Sequence, residues 1–178
     1  GQIQTLERLQ SKLMDDASVN TFLAQHDMQD APRLWQTLEV APGWEDALEA
    51  ALGVRLNAVG LQSLALAGDM PTPPAGVAFF ADASGALPAA PEARYGTPVL
   101  NYVTVNDARA HGILADWLKD VYAVESWREA LRQAAALPPG VMLVTREAHV
   151  VTRNSVSFFA PNAQMHGVLA RRREIDEL

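Results

Sequence analysis

Leu38-Glu39-Val40-Ala41-Pro42-Gly43-Trp44-Glu45-Asp46-Ala47-Leu48-Glu49-Ala50-Ala51-Leu52-Gly53, followed by Leu56-Asn57-Ala58-Val59, decides how the rest of the chain is read. Leu38-Glu39-Val40 alternates like a short strand. Pro42-Gly43-Trp44 interrupts it and opens a helix over 45–52, which Gly53 ends. Proline near a helix start and glycine just past its end is the expected asymmetry. Glu45 and Asp46 suit the positive end of the helix dipole. Leu56, Ala58 and Val59 then predict a second strand. The unit is strand–helix–strand.

A second such unit follows at a spacing of 65 residues. Val40 matches Val105, Leu48 matches Ile113, Leu52 matches Trp117, Leu56 matches Val121, Ala58 matches Ala123, and Val59 matches Val124. A strand is predicted over 102–105, a helix capped by Asn106 and running to Leu118, and a strand over 121–124. Either the chain holds a duplicated unit or two ordinary strand–helix–strand units look alike. Between them, Pro71-Thr72-Pro73-Pro74, residues 81–91 and Gly96-Thr97-Pro98 read as loops and linker. Within that stretch, Val77-Ala78-Phe79-Phe80-Ala81 is a short apolar strand candidate. A helix over 126–136 and strands over 141–144, 149–152 and 156–159 complete a mixed α/β pattern.

Both ends read as amphipathic helix. Ile3, Leu6, Leu9 and Leu13 make a narrow apolar seam, and Val168, Ile175 and Leu178 make another. Two surface helices would account for them. So would a globular insert at the tip of a helical hairpin, entered by one strand of a coil and left by the other.

The 178 residues are 49% apolar and 20% charged, with a net charge of −7 and no cysteine. That composition excludes disordered and collagen-like chains, disulfides and thiol catalysis. No run approaches the ~18 apolar residues of a membrane helix, so no membrane partner is expected. Gly1-Gln2-Ile3-Gln4 lacks the pattern of a secretory leader. Overall acidity argues against a general nucleic-acid coat. Yet residues 145–173 hold five arginines and a single carboxylate, Glu147.

The motifs of phosphate-binding loops, dinucleotide folds, serine hydrolases and zinc proteases are missing. His26, His111, His149 and His166 lack partners at metal-ligand spacing, and Glu147 with His149 reads as a solvated pair. Trp35, Trp44, Trp117 and Trp127 read as core anchors. No catalytic, cofactor or metal residue is assigned. A small two-lobed enzyme with an inter-lobe groove would need a nucleophile or metal set that the sequence does not offer.

Two features stand out. Adjacent phenylalanines point to opposite faces of a strand. Phe79-Phe80 and Phe158-Phe159 therefore mean either burial on both faces or apolar edges inviting another chain. Arg171, Arg172 and Arg173 turn about 100° apart on a helix and cannot share one seam. They are either a solvated face or a phosphate-binding patch with Arg8 and Lys12.

These residues resemble a family. Residues 40–59 look like the opening lobe of the hinge of bacterial SMC (structural maintenance of chromosomes) proteins. Val144-Thr145-Arg146-Glu147-Ala148-His149-Val150-Val151 looks like that hinge's V-T-x-x-G-x-x-V strand pair. Residues 167–178 are similar to the coil that leaves it. The resemblance implies an α+β fold of two related mixed α/β lobes flanked by short antiparallel coiled-coil helices. The expected parts are an entering stub over 1–14, lobes over 15–95 and 96–166, and an exiting stub over 167–178. It implies a homodimerisation domain, with a second copy as partner, in a cytoplasmic, nucleoid-associated chromosome condensation and segregation ATPase whose ATPase head lies outside this chain. Expected interface residues are Phe79, Phe80, Ser155, Val156, Phe158 and Phe159. DNA, a further partner, would meet Arg8, Lys12, Arg171, Arg172 and Arg173 at the coil junction, and DNA binding there could be the main role. One departure stands out: Ala148, Ser155, Phe159 and Ala160 replace glycines that sit at the family's interface.

Overall fold

The structure, a computed structural model, describes residues 17–81 and 92–159. Residues 17–25 are helical (α1). A 3₁₀ turn over Leu34–Thr37 leads into β1 (Leu38–Val40), α2 (Glu45–Leu52), a second 3₁₀ turn (Gly53–Asn57), β2 (Val59–Leu61), α3 (Ala65–Gly68) and β3 (Phe79–Ala81). The same order then repeats. It runs through β4 (Thr97–Pro98), a 3₁₀ turn (Val99–Tyr102), β5 (Val103–Val105), α4 (Ala108–Trp117), β6 (Val121–Ala123), α5 (Trp127–Gln133) and β7 (Met142–Val144). The second repeat continues into β8 (Val150–Thr152) and β9 (Ser155–Ser157).

β1 and β5 form an antiparallel ribbon, with Leu38 opposite Val105 and Val40 opposite Val103. β2 and β3 pair in parallel, and Arg33 bridges Val59 on the far side of β2. The larger sheet has the order β4-β6-β7-β8-β9, in which only β6 and β7 are parallel.

The repeats are interleaved. α2 packs on β7 of the second repeat, and α4 packs on β3 of the first. Leu34, Leu38, Leu48 and Phe80 consequently share one buried cluster with Leu114, Leu118, Val121 and Val144.

Several local expectations need correction. The predicted strand through Leu56 and Ala58 starts only at Val59, because residues 53–57 coil into a 3₁₀ turn. Gly53, at φ +59° and ψ −132°, makes that break in a region open essentially to glycine. The connection from helix to strand is thus three residues longer in the first repeat, and Val59 is the counterpart of Val121. Asp107, not Asn106, caps α4: its carboxylate accepts the Arg109 N–H at 2.9 Å. Asn106 is occupied elsewhere, its N–H donating to the Thr37 carbonyl at 2.7 Å. Thr97–Pro98, expected as loop, is an edge strand facing Ala123 and Tyr122. An edge is where a strand tolerates proline. The last strand ends at Ser157, so Phe158 and Phe159 lie beyond it. The expected coil stubs lie outside the described residues.

Candidate strand-edge interface

Besides β1, β4 and β5, two strands have one side that faces no other strand among the described residues: β3 and β9. They differ in origin. β3 is the first repeat's counterpart of β7; among the described residues no strand of that repeat corresponds to β8, and its sheet ends one strand earlier.

On β3, Phe80 is 2% exposed and its ring lies in the shared core. A side chain at Gly60 would stand 3.0 Å from the end of that ring, so the glycine lets the two strands carry it. Phe79 is half-buried on the other face, against Val19, Phe22, Leu23 and Val59. This pair is packed on both faces, one of the two readings its sequence allowed. What β3 offers outward is backbone.

β9 is different. A two-residue turn, Arg153-Asn154, joins it to β8, so Thr152 faces Ser155 and Val151 faces Val156. Hydrogen-bonded and non-hydrogen-bonded pairs alternate along an antiparallel ladder. The pair closing the turn is bonded, so the next is not. The Val156 N–H and C=O accordingly point to the free edge. Its side chain turns inward onto the cluster of Tyr122, Leu137, Leu143 and Val151. Ser155 and Ser157 are exposed, and the Ser155 hydroxyl hydrogen-bonds that of Thr152.

Just past β9, Phe158 is 58% exposed. It is not loose. Its ring meets Trp127 edge-on at 4.9 Å between centroids and His149 at 5.3 Å. The His149 Nδ1 accepts the Phe159 N–H at 3.1 Å. Phe159 is half-buried. Trp127 carries the Arg128 guanidinium on its face at 4.3 Å. The parts played by Trp127 and His149 here were not visible in the sequence, because both reach Phe158 only through the fold.

The base of the β7–β8 turn is fastened to the first repeat. Arg146 lies over Trp44 at 5.1 Å, and Trp44 stacks on Tyr102 at 4.4 Å. Glu45, buried beside them, accepts the Gly43 N–H at 2.8 Å. Ala148, in that turn, has φ +72° and is buried. It occupies the left-handed conformation that the family's glycine would favour.

Burial pushes the Tyr122 hydroxyl upward in pKa, and Asp120 adds to the effect. Val54, Leu64, Leu66 and Leu131 are further exposed large apolar residues, none singled out by the sequence. Among the described residues no cluster of His, Asp or Glu could hold a metal ion, and no helix is long and apolar enough to cross a membrane. Arg8, Lys12, Arg171, Arg172 and Arg173 lie outside the described residues.

The model of the flexible hinge domain of SMC proteins matches residues 28–134. The chain belongs to the SMC hinge family. It is 36% identical over 182 residues to the chromosome partition protein Smc of Delftia acidovorans, covering 99% of this chain and 15% of that protein. The Burkholderia pseudomallei protein of the same name is 37% identical over 181 residues, with 99% and 15% covered. This hinge domain therefore spans about 15% of the length of those relatives. Among solved structures, the asymmetric dimer of the Geobacillus stearothermophilus SMC hinge domain matches with a TM-score of 0.63 at 18% identity, over 98% of this chain and 79% of that one. The Pyrococcus furiosus SMC hinge domain matches at 0.54 and 16% identity, over 85% and 96%. The hinge fold is the one the resemblance led us to expect.

Proposed function

We propose that this hinge domain is a homodimerisation module in which the β3 edge of one chain pairs with the β9 edge of its partner. The observation that carries this reading is the open side of β3. Among the described residues no strand pairs there as β8 pairs with β7, and an edge strand of another copy fits that place. Strand addition draws affinity from main-chain hydrogen bonds, which suits a β3 whose side chains are committed inward. The Geobacillus relative's description as a dimer supports the reading. A two-fold ring of two such contacts would join two SMC arms, and lobes over 15–95 and 96–166 would each meet the other lobe of the partner. The relatives' name, chromosome partition protein, supports a role of the whole protein on the chromosome. Its site of action is then the cytoplasm at the nucleoid, and its ATPase activity belongs to head domains beyond this chain.

Light scattering at micromolar concentration tests the module directly. The expected result is about twice the chain mass. Val156→Pro removes an N–H that the β8–β9 ladder does not use, so the hairpin persists and the dimer is lost. A monomeric wild type, or a variant that dimerises as tightly as wild type, overturns the strand-edge reading.

The basic residues Arg8, Lys12, Arg171, Arg172 and Arg173 support a DNA contact at the coil junction. Binding should fall steeply with salt, and Arg171→Glu with Arg172→Glu should weaken it. Unchanged affinity in that double variant would remove the patch from the account.

A further inference from the structure

We propose that His149 is a positioning residue whose neutral imidazole latches the chain leaving β9 and thereby makes self-association proton-sensitive. The inference rests on the strand-edge reading and adds a control to it.

The geometry is specific. The Phe159 N–H would continue the β-ladder if the strand ran on. Instead it donates to the His149 Nδ1 at 3.1 Å. That bond bends the chain away directly after Ser157 and leaves Phe158 between His149 and Trp127. A histidine accepts at Nδ1 only when that nitrogen carries no proton. The latch therefore requires neutral imidazole with its proton on Nε2. His149 is itself held from the other side, since its backbone N–H donates to the Thr145 Oγ1 at 3.1 Å and its carbonyl accepts the Thr145 N–H at 3.0 Å. These bonds fix the backbone from which the ring reaches the Phe159 N–H.

Protonation puts a hydrogen on Nδ1, facing the Phe159 N–H. The bond is lost and two donors oppose each other. Titratable and charged groups on the surrounding elements are Arg146 and Glu147 in the turn before β8, Arg153 in the turn after it, and Arg128, Glu129 and Arg132 on α5. Among the described residues, none forms an ion pair with the imidazole. Arg128 adds positive charge over the ring of Trp127. The sign follows from the geometry: the bond needs the neutral ring, so acid opens the latch. An opened latch frees Phe158 from its two ring contacts and lets the exit of β9 wander. The edge that meets the partner then has to be ordered again on binding.

The test measures the dimer dissociation constant by sedimentation between pH 8 and pH 5.5, for the wild type and two variants. His149→Asn keeps a side-chain oxygen near the Nδ1 position but does not titrate. His149→Phe keeps an aromatic ring against Phe158 but has no acceptor. The wild type should weaken about tenfold on acidification, the scale of one lost hydrogen bond. His149→Asn should stay dimeric with a flat pH profile, and His149→Phe should be weak at every pH. A wild-type dimer whose affinity ignores pH overturns the latch alone. So does a His149→Phe variant as tight as wild type at pH 8, or a His149→Asn variant that keeps the wild-type pH dependence. A monomeric wild type at pH 8 overturns the strand-edge reading beneath it.

Discussion

Glu39 lies opposite Thr104 at the centre of the β1–β5 ribbon, and the two residues are counterparts in the two repeats. A pair of equivalent residues facing each other in an antiparallel ribbon marks a local two-fold axis. The flanking bonds obey it. The Ala41 N–H donates to the Tyr102 carbonyl at 2.8 Å, and the Asn106 N–H donates to the Thr37 carbonyl at 2.7 Å. Each bond is the other shifted by one repeat. The axis explains why each repeat lays its helix on the other's sheet, and why the two cannot be pulled apart without opening one core.

The interleaving has a consequence for unfolding. Leu48 on α2 and Leu114 on α4 are 1% and 0% exposed in the same cluster. Leu48→Ala or Leu114→Ala should each cost about 2–5 kcal/mol. Each should destabilise both repeats together. Urea unfolding followed by far-UV circular dichroism and by tryptophan fluorescence should give coincident transitions in both variants. Separate transitions would mean that the repeats fold as independent units.

Among the described glycines, Gly96 leaves the least room for a side chain. A Cβ there would stand 2.6 Å from the Ala123 carbonyl oxygen and 3.0 Å from Val124 Cγ1. Neither neighbour is the free end of a flexible side chain, so β4 must part from β6. Gly96→Ala should cost about 1–3 kcal/mol. Gly76→Ala, with open space around it, should stay within about 0.5 kcal/mol of wild type. Thermal melts of the two variants make the comparison.

What could be read from the sequence is local. β1 and α2 were readable to the residue because alternation, Pro42 and Gly53 act within a few positions. The duplication was readable as far as the helices match, and failed where the first repeat inserts its 3₁₀ turn. β4 was missed because Gly-Thr-Pro is loop chemistry, and only Tyr122 and Ala123, far along the chain, make it a strand. Just past β9, the Phe159 N–H is bound by His149, ten residues earlier. Phe79 and Phe80 read as a pair, yet they serve different clusters. No periodicity distinguishes a strand whose two faces are filled from one whose edge is bare.

The cap of α4 should show in acid. The Arg109 side chain, through its hydrogen bonds, holds the Asp107 carboxyl below its usual pKa, and the Arg109 backbone N–H adds to this. A carboxylate with a lowered folded pKa stabilises fully above its unfolded value, ~3.9. That contribution disappears as pH falls through the folded one. Asp107 and Arg109 side chains are 27% and 42% exposed, so solvent screens their ion pair and the capping bond is the larger part. Asp107→Ala should cost about 1 kcal/mol at pH 7. Asp107→Asn should cost less, and its loss of stability between pH 5 and pH 2.5 should be shallower than the wild type's. Parallel urea midpoints across that range would show that the ion pair contributes nothing.

Ala148 tests what the family's glycine is for. Its N–H donates to the Thr145 carbonyl at 2.9 Å, closing the turn that leads His149 into β8. At φ +72° an alanine bears a strain of about 1 kcal/mol. Ala148→Gly relieves it but loses a buried methyl worth about 0.8 kcal/mol and leaves a freer unfolded chain. The two nearly cancel, so the melting temperature should hardly move. Ala148→Val is a different matter. A β-branched side chain is a poor fit to positive φ, and the site is 1% exposed. The variant should lose about 2 kcal/mol or more, and because the turn sets the course of β8 and the seat of His149, it should also weaken self-association. If Ala148→Val melts and associates like the wild type, the turn is not held in the left-handed conformation, and a glycine there would serve close approach of the partner rather than the turn itself.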